Sequence, residues 1–291
     1  MTLQLRVPTR FQEGVSNFLM ERGASGLEEM GEGATGVTLK AYFPGEENEM
    51  PVLEGLSRYL KSIQRIDREN FAVKIHTRIL KEQDWGETWK RHFKPVRVGL
   101  RFIVFPPWEK IKPIRGQVPM EINPGMAFGT GTHATTRLCL IALERRVRRG
   151  MSVLDVGTGS GILAIAAAKL GARWVRGLDV DPVAVEAAGE NIIKNGVADA
   201  VRVRRGGIGR ISGLFDMIVA NIDFKALTRL AHPLADRLGD GGILILSGLL
   251  AEQGKEIRQS YLKTGMLRLV DQADEDEWVC LIFKGKKKTG R

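Results

Sequence analysis

SVLDVGTGSGILAIAAAKL, residues 152–170, decides the fold. It opens with a near-continuous apolar run, as a strand buried on both faces requires. Gly157, Gly159 and Gly161 follow at alternate positions, and a helix then begins at Ile162. Glycine lets the chain turn sharply and lets the backbone approach a ligand with no Cβ in the way. Strand, glycine turn and helix in this order open a doubly wound α/β sheet, which binds ligands outside the carboxyl ends of its strands. The spacing is G-x-G-x-G. A dinucleotide fingerprint wants a third glycine where Ile162 stands, which counts against an NAD-dependent oxidoreductase.

The segments downstream keep the alternation. WVRGLDV (174–180) reads as a second strand, and a helix follows from Pro182 to about Asn195. VRVRR (201–205) and DMIVANI (216–222) read as the third and fourth strands. A helix near 224–237 leads to GGILILSG (241–248), a fifth strand. MLRLVDQ (266–272) and EWVCLIF (277–283), separated by acidic turn residues, read as an antiparallel pair.

Three points on this framework suggest chemistry. Asp179 ends the second strand about twenty residues after the glycine turn, where a carboxylate can accept hydrogen bonds from two ribose hydroxyls. Asp181 precedes Pro182 and is better suited to capping the next helix. Asn221 ends the fourth strand; its amide has one acceptor and two donors, enough to hold an amine by its N–H. The loop Asn123-Pro124-Gly125-Met126-Ala127-Phe128-Gly129-Thr130-Gly131-Thr132-His133-Ala134-Thr135-Thr136 reads as a binding loop that runs into a helix. It lacks a P-loop lysine, so nucleotide hydrolysis is not supported. His133 has no Ser or Cys nucleophile motif to serve.

The first eighty residues read differently. Leu3, Leu5 and Val7 alternate with polar residues; Phe11, Val15, Phe18 and Leu19 lie on one helical face. A short segment at 25–30, alternation at Val37, Leu39 and Ala41, a helix carrying Val52, Leu56 and Tyr59, and a strand at 71–79 complete the set. Strand–helix–strand twice over predicts a small ferredoxin-like α+β domain. His76 has no partners that would make a site. Residues 81–122 read as a linker: a short helix with Trp85, Trp89 and Phe93 on one face, then a Pro-rich hairpin or connector. The expected domains are thus 1–80, the linker 81–122, and 123–291.

The chain has 291 residues, 44 Lys and Arg against 34 Asp and Glu, and a formal charge of +10. Five of the basic residues lie in the last eight, KGKKKTGR. No basic patch interleaved with aromatics stands out in the second half, so direct nucleic-acid binding is not expected. No apolar run suggests a membrane span, and no secretory signal is evident. Cys139 and Cys280 are too few for a disulfide framework or a thiolate zinc site, and two buried thiols in a reducing cytosol are expected.

AFGTGTHATT, LDVGTGSGILAIAAAKLGA, GLDVDP, VANI and GGILILSGLL, in that order, resemble the PrmA family, methyltransferases of protein L-eleven of the large ribosomal subunit. The bridge DWGETWKRHFKPVRVG and the amino-terminal module share the likeness. The resemblance implies a Rossmann-like seven-stranded class I methyltransferase domain using S-adenosyl-L-methionine (SAM). It implies that Thr136 lines the methionine end, that Gly157 touches the cofactor, that Asp179 holds the ribose and that Asn221 contacts the cofactor and orients the incoming amine. The amino-terminal domain would recognise the ribosomal protein, with lysine side chains and the terminal amine as acceptors in the cytoplasm. Alternatives are a class I methyltransferase acting on RNA or a small molecule, and a noncatalytic SAM-binding module.

Overall fold

The computed structural model describes residues 2–24, 26–33, 36–43, 49–67, 75–78, 93–124 and 128–287. The chain divides into two compact units, Met1–His92 and Phe93–Arg291. The aromatic helix expected around Trp85 and Trp89 lies outside the described residues.

The first unit runs β1 (Thr2–Val7), α1 (Gln12–Glu21), β2 (Gly26–Gly33), β3 (Gly36–Tyr42), α2 (Glu49–Asp67), β4 (Ile75–Arg78). Its sheet order is β2-β3-β1-β4 with every neighbour antiparallel, the ferredoxin-like arrangement. The segment read as short at 25–30 is a full strand that pairs along β3. Alternation at Leu3, Leu5 and Val7 puts these side chains on one face, with Val37, Leu39 and Ala41 from β3 beside them. Val15 and Leu19 of α1 and Leu56 and Leu60 of α2 cover that face.

The Pro-rich stretch belongs to the second unit. It forms a three-stranded sheet, β5 (Val96–Val98), β6 (Phe102–Phe105) and β7 (Val118–Glu121). Phe102, Val104, Met120 and Ile122 join the main core of that unit. Their burial, not the prolines, decides where this segment goes.

The main sheet contains β8 (Ser152–Val156), β9 (Trp174–Asp179), β10 (Val201–Arg205), β11 (Phe215–Asn221), β12 (Leu238–Leu250), β13 (Leu267–Glu275) and β14 (Trp278–Gly285). Their order is β10-β9-β8-β11-β12-β14-β13. β14 is antiparallel to both its neighbours; the strands from β10 to β12 are parallel. Strand order reverses at β8, between β9 and β11. On one face lie α3 (Ala134–Arg146), α4 (Ile162–Lys169) and α5 (Pro182–Lys194). On the other lie α6 (Phe224–Arg229), α7 (Ala231–Arg237) and α8 (Ala251–Lys263), with Leu227, Leu234, Ile257 and Tyr261 in its core. The single helix read at 224–237 is therefore two, meeting at Leu230. Ile162 through Ala167 are all buried, because α4 lies between the sheet and its neighbouring helices. Cys139 and Cys280 are both buried thiols.

Candidate active site

The switch point at β8 is built by backbone conformation. Gly157 and Gly159 have φ of +74° and +53°, values that side chains with a Cβ disfavour. A Cβ on Gly159 would stand 2.4 Å from the carbonyl oxygen of Phe128, so the turn and the loop before α3 touch backbone to backbone. Ser160 N donates to that same carbonyl at 2.9 Å. Below the turn, the buried Asp155 accepts the Thr158 hydroxyl at 2.7 Å and the Ala164 N–H at 3.1 Å. It therefore staples the turn to the first turn of α4. Burial, set against these hydrogen bonds, raises the Asp155 carboxyl from its usual range to about 7.

A cavity of about 860 Å³ opens at the carboxyl ends of β8, β9 and β11. Gly157, Asp179 and Asn221 all stand on its wall. Asp179 takes one backbone donor on each oxygen, Gly159 N at 2.9 Å and Asp181 N at 3.1 Å. Asp181 instead caps α5, accepting Val183 N at 2.9 Å. Asn221 Nδ2 donates to Thr136 Oγ1 at 3.4 Å, while its buried Oδ1 has no partner among the described residues. The amide is thus held on its donor side, with its buried acceptor unsatisfied among the described residues.

Thr136 is fully buried at the start of α3 and stands behind Asn221; its neighbour Thr135 reaches the wall. Asp223 caps α6 through Oδ1, which accepts Ala226 N at 2.9 Å, and also faces the cavity.

The structure adds an aromatic wall that the sequence did not reveal. The His133 ring meets Phe128 edge-on at 5.4 Å and Trp278 at 4.8 Å. All three line the cavity. His133 also caps α3: its Nδ1 accepts Thr135 N at 3.3 Å. Arg137 secures this corner. Its Nε donates to Glu275 Oε1 at 2.7 Å, and its Nη1 donates to the Thr132 carbonyl. One guanidinium therefore joins the loop carrying His133 to the β13–β14 hairpin carrying Trp278. Phe128 and His133 lay in a loop already marked for binding. Trp278 is brought in from 145 residues after His133 (278 − 133) by the insertion of β14, and no local pattern marks it. Among the described residues, no three His, Cys, Asp or Glu side chains converge as a metal site would require.

The family model described as ribosomal protein L11 methyltransferase (PrmA) matches residues 1–286. The chain belongs to the PrmA family. A PrmA relative from Geobacter metallireducens, named ribosomal protein L11 methyltransferase, is 41% identical over 272 residues, 93% of this chain and 89% of the relative. Another of that name, from Geotalea uraniireducens, is 35% identical and covers 98% of both chains. Among solved structures, the ribosomal protein L11 methylase from Lactobacillus delbrueckii subsp. bulgaricus aligns with a TM-score of 0.63 at 33% identity. That alignment covers 67% of this chain and all (100%) of the solved one. The PrmA assignment and the seven-stranded order agree on a class I methyltransferase.

Proposed function

We propose that this chain transfers methyl groups from S-adenosyl-L-methionine to amines of ribosomal protein L11. The observation that carries the reading is the buried Oδ1 of Asn221, unsatisfied among the described residues, beside a cavity that Asn221 shares with Asp179 and the glycine turn. The residues fit the cofactor: Gly157 and Gly159 present backbone without a side chain on the cavity wall, and Asp179 keeps lone pairs for a ribose diol. Thr136 acts through Asn221 in this reading. The cofactor, when bound, supplies a methyl group already activated on a sulfonium.

The chain's own work is then position and desolvation. An amine with a pKa near ~10 must lose a proton to attack, and water can take it. Asn221 Oδ1 accepts one remaining N–H, which turns the nitrogen lone pair away from the amide. Thr136 keeps the amide from rotating. Phe128, His133 and Trp278 give a flat-sided wall that excludes water and accommodates an alkyl ammonium or its methylated products. The carboxylate of Asp223 at the cavity wall attracts the ammonium before deprotonation. The ferredoxin-like domain of residues 1–80 recognises the ribosomal protein, and the acceptors are its lysine side chains and terminal amine. No described helix is long and apolar enough to cross a membrane; the proposed place of action is the cytoplasm.

Mass spectrometry of purified ribosomal protein L11 after incubation with this chain and SAM tests the reading. Mass increments of one or more methyl groups on lysines or the amino terminus are expected. An unmodified protein, alongside methylated RNA or a methylated small amine, would refute it.

A further inference from the structure

On the sheet face opposite α4 and α5, no described helix lies at the β9–β10 edge. Helices α6, α7 and α8 pack on β12, β13 and β14. The connection from β10 to β11, residues 206–214, holds one 3-10 turn, Ile208–Arg210, where a parallel crossover usually carries a helix. The register places Arg202 beside Arg176 and Arg204 beside Leu178. Trp174 and Leu178 pack toward the core of α6–α8. Arg176, Arg202 and Arg204 alternate onto that same face, at an edge where no helix covers them.

Two of these guanidinium groups are held in place, and none is compensated among the described residues. Arg176 lies over the Trp174 ring at 5.2 Å. Arg202 Nη1 donates to the carbonyls of Ala198 and Val201. Among the described residues, no carboxylate pairs with Arg176, Arg202 or Arg204.

We infer that this face binds single-stranded RNA. Guanidinium groups pair with phosphate through two N–H donors, and fixed ones lose little freedom in doing so. A guanidinium stacked on an indole adds a flat cationic surface on which a base can lie. A carboxylate pairs with a guanidinium as a phosphate does, but only a base also lies flat on the cation over the indole, so RNA is favoured over an acidic peptide. The arginines come from two segments that the sequence separates, which is why total charge and local pattern gave no sign of the patch.

Fluorescence anisotropy of the full chain with a short labelled, unstructured RNA, across a potassium chloride series, tests this. The triple variant R176Q/R202Q/R204Q is expected to bind at least about tenfold more weakly at low salt. Its slope of log affinity against log salt should fall by about 2, since each single-strand phosphate contact contributes about 0.7. K286Q/K287Q, which weakens the basic tail, should keep most of the wild-type slope. R204Q alone should lower the slope by about 0.7 and gives the same reading if the triple variant melts early. Methyl transfer to free ribosomal protein should be unchanged in the triple variant, so failure here leaves the methyltransferase reading standing. The inference is overturned if the wild type shows no saturable binding at low salt. It is also overturned if only the lysine variant loses affinity, or if polyglutamate displaces the RNA as well as unlabelled RNA does.

Discussion

The backbone N–H of Gly159 donates to Oδ2 of Asp179 at 2.9 Å, which ties the turn after β8 to the end of β9. A ligand held by Asp179 therefore also reports on the conformation of the turn. Asp179→Ala removes a charged acceptor and frees the Gly159 donor. SAM affinity should fall roughly 30- to 150-fold, equivalent to ~2–3 kcal/mol. Isothermal titration calorimetry measures it, and affinity within about threefold of wild type would remove Asp179 from the site.

Asn221→Ala should depress kcat by about two orders of magnitude, as loss of one orienting group does at other active sites. The melting temperature should fall only modestly, because among the described residues the side chain makes one long hydrogen bond, Nδ2 to Thr136 Oγ1 at 3.4 Å, and none through Oδ1. Thr136→Val keeps the volume and deletes the partner of Asn221 Nδ2. It should lower kcat about tenfold with SAM affinity retained. Wild-type kcat in both variants would show that the amide orients nothing.

Arg137→Gln should loosen the corner where His133 meets Trp278. The expected result is a KM for the ribosomal protein raised about five- to tenfold, with SAM affinity unchanged. Glu275→Gln should do the same more weakly, and the double variant should fall short of the sum, since both act on one link. Steady-state kinetics with each substrate varied in turn provides the check. An equal loss of SAM affinity would point to general disorder instead.

Asp155 gives a pH signature to stability. Its carboxyl is raised from 3.8 to about 7 by burial, so the folded state holds a proton that the unfolded state has released between those values. Stability should therefore fall as pH rises from about 4 to about 7 and then level off as far as this group is concerned. Asp155→Asn keeps an acceptor for Thr158 and Ala164 and has no charge to bury. Thermal melts of that variant should lack this fall. If both proteins show the same pH profile, Asp155 is not its source.

Much of the site was legible because short-range physics sets it. Asp155, the glycines and Asp179 belong to one strand–turn–helix–strand unit, where hydrophobic period and backbone freedom place each residue within a few ångströms. Asp181 was likewise placed by its neighbour Pro182. Thr136 shows the limit. The reading ran the loop on to Thr136, but α3 already begins at Ala134 and turns Thr136 inward behind Asn221, presenting Thr135 to the cavity. A helix separates adjacent side chains by about 100°, and only packing on the sheet chooses which one faces in.

The sequence by itself determined the strand–helix alternation, the glycine turn, the carboxylate and amide at the strand ends, and the doubled unit at the amino terminus. Each follows from local periodicity or from backbone conformations that few residues permit. Only the tertiary structure decided that the Pro-rich segment is part of the second core, that Trp278 reaches His133, that Arg137 locks onto Glu275, and that arginines from β9 and β10 share a face. Those relations depend on strand order and register, which bring distant residues together without leaving a local pattern in the chain.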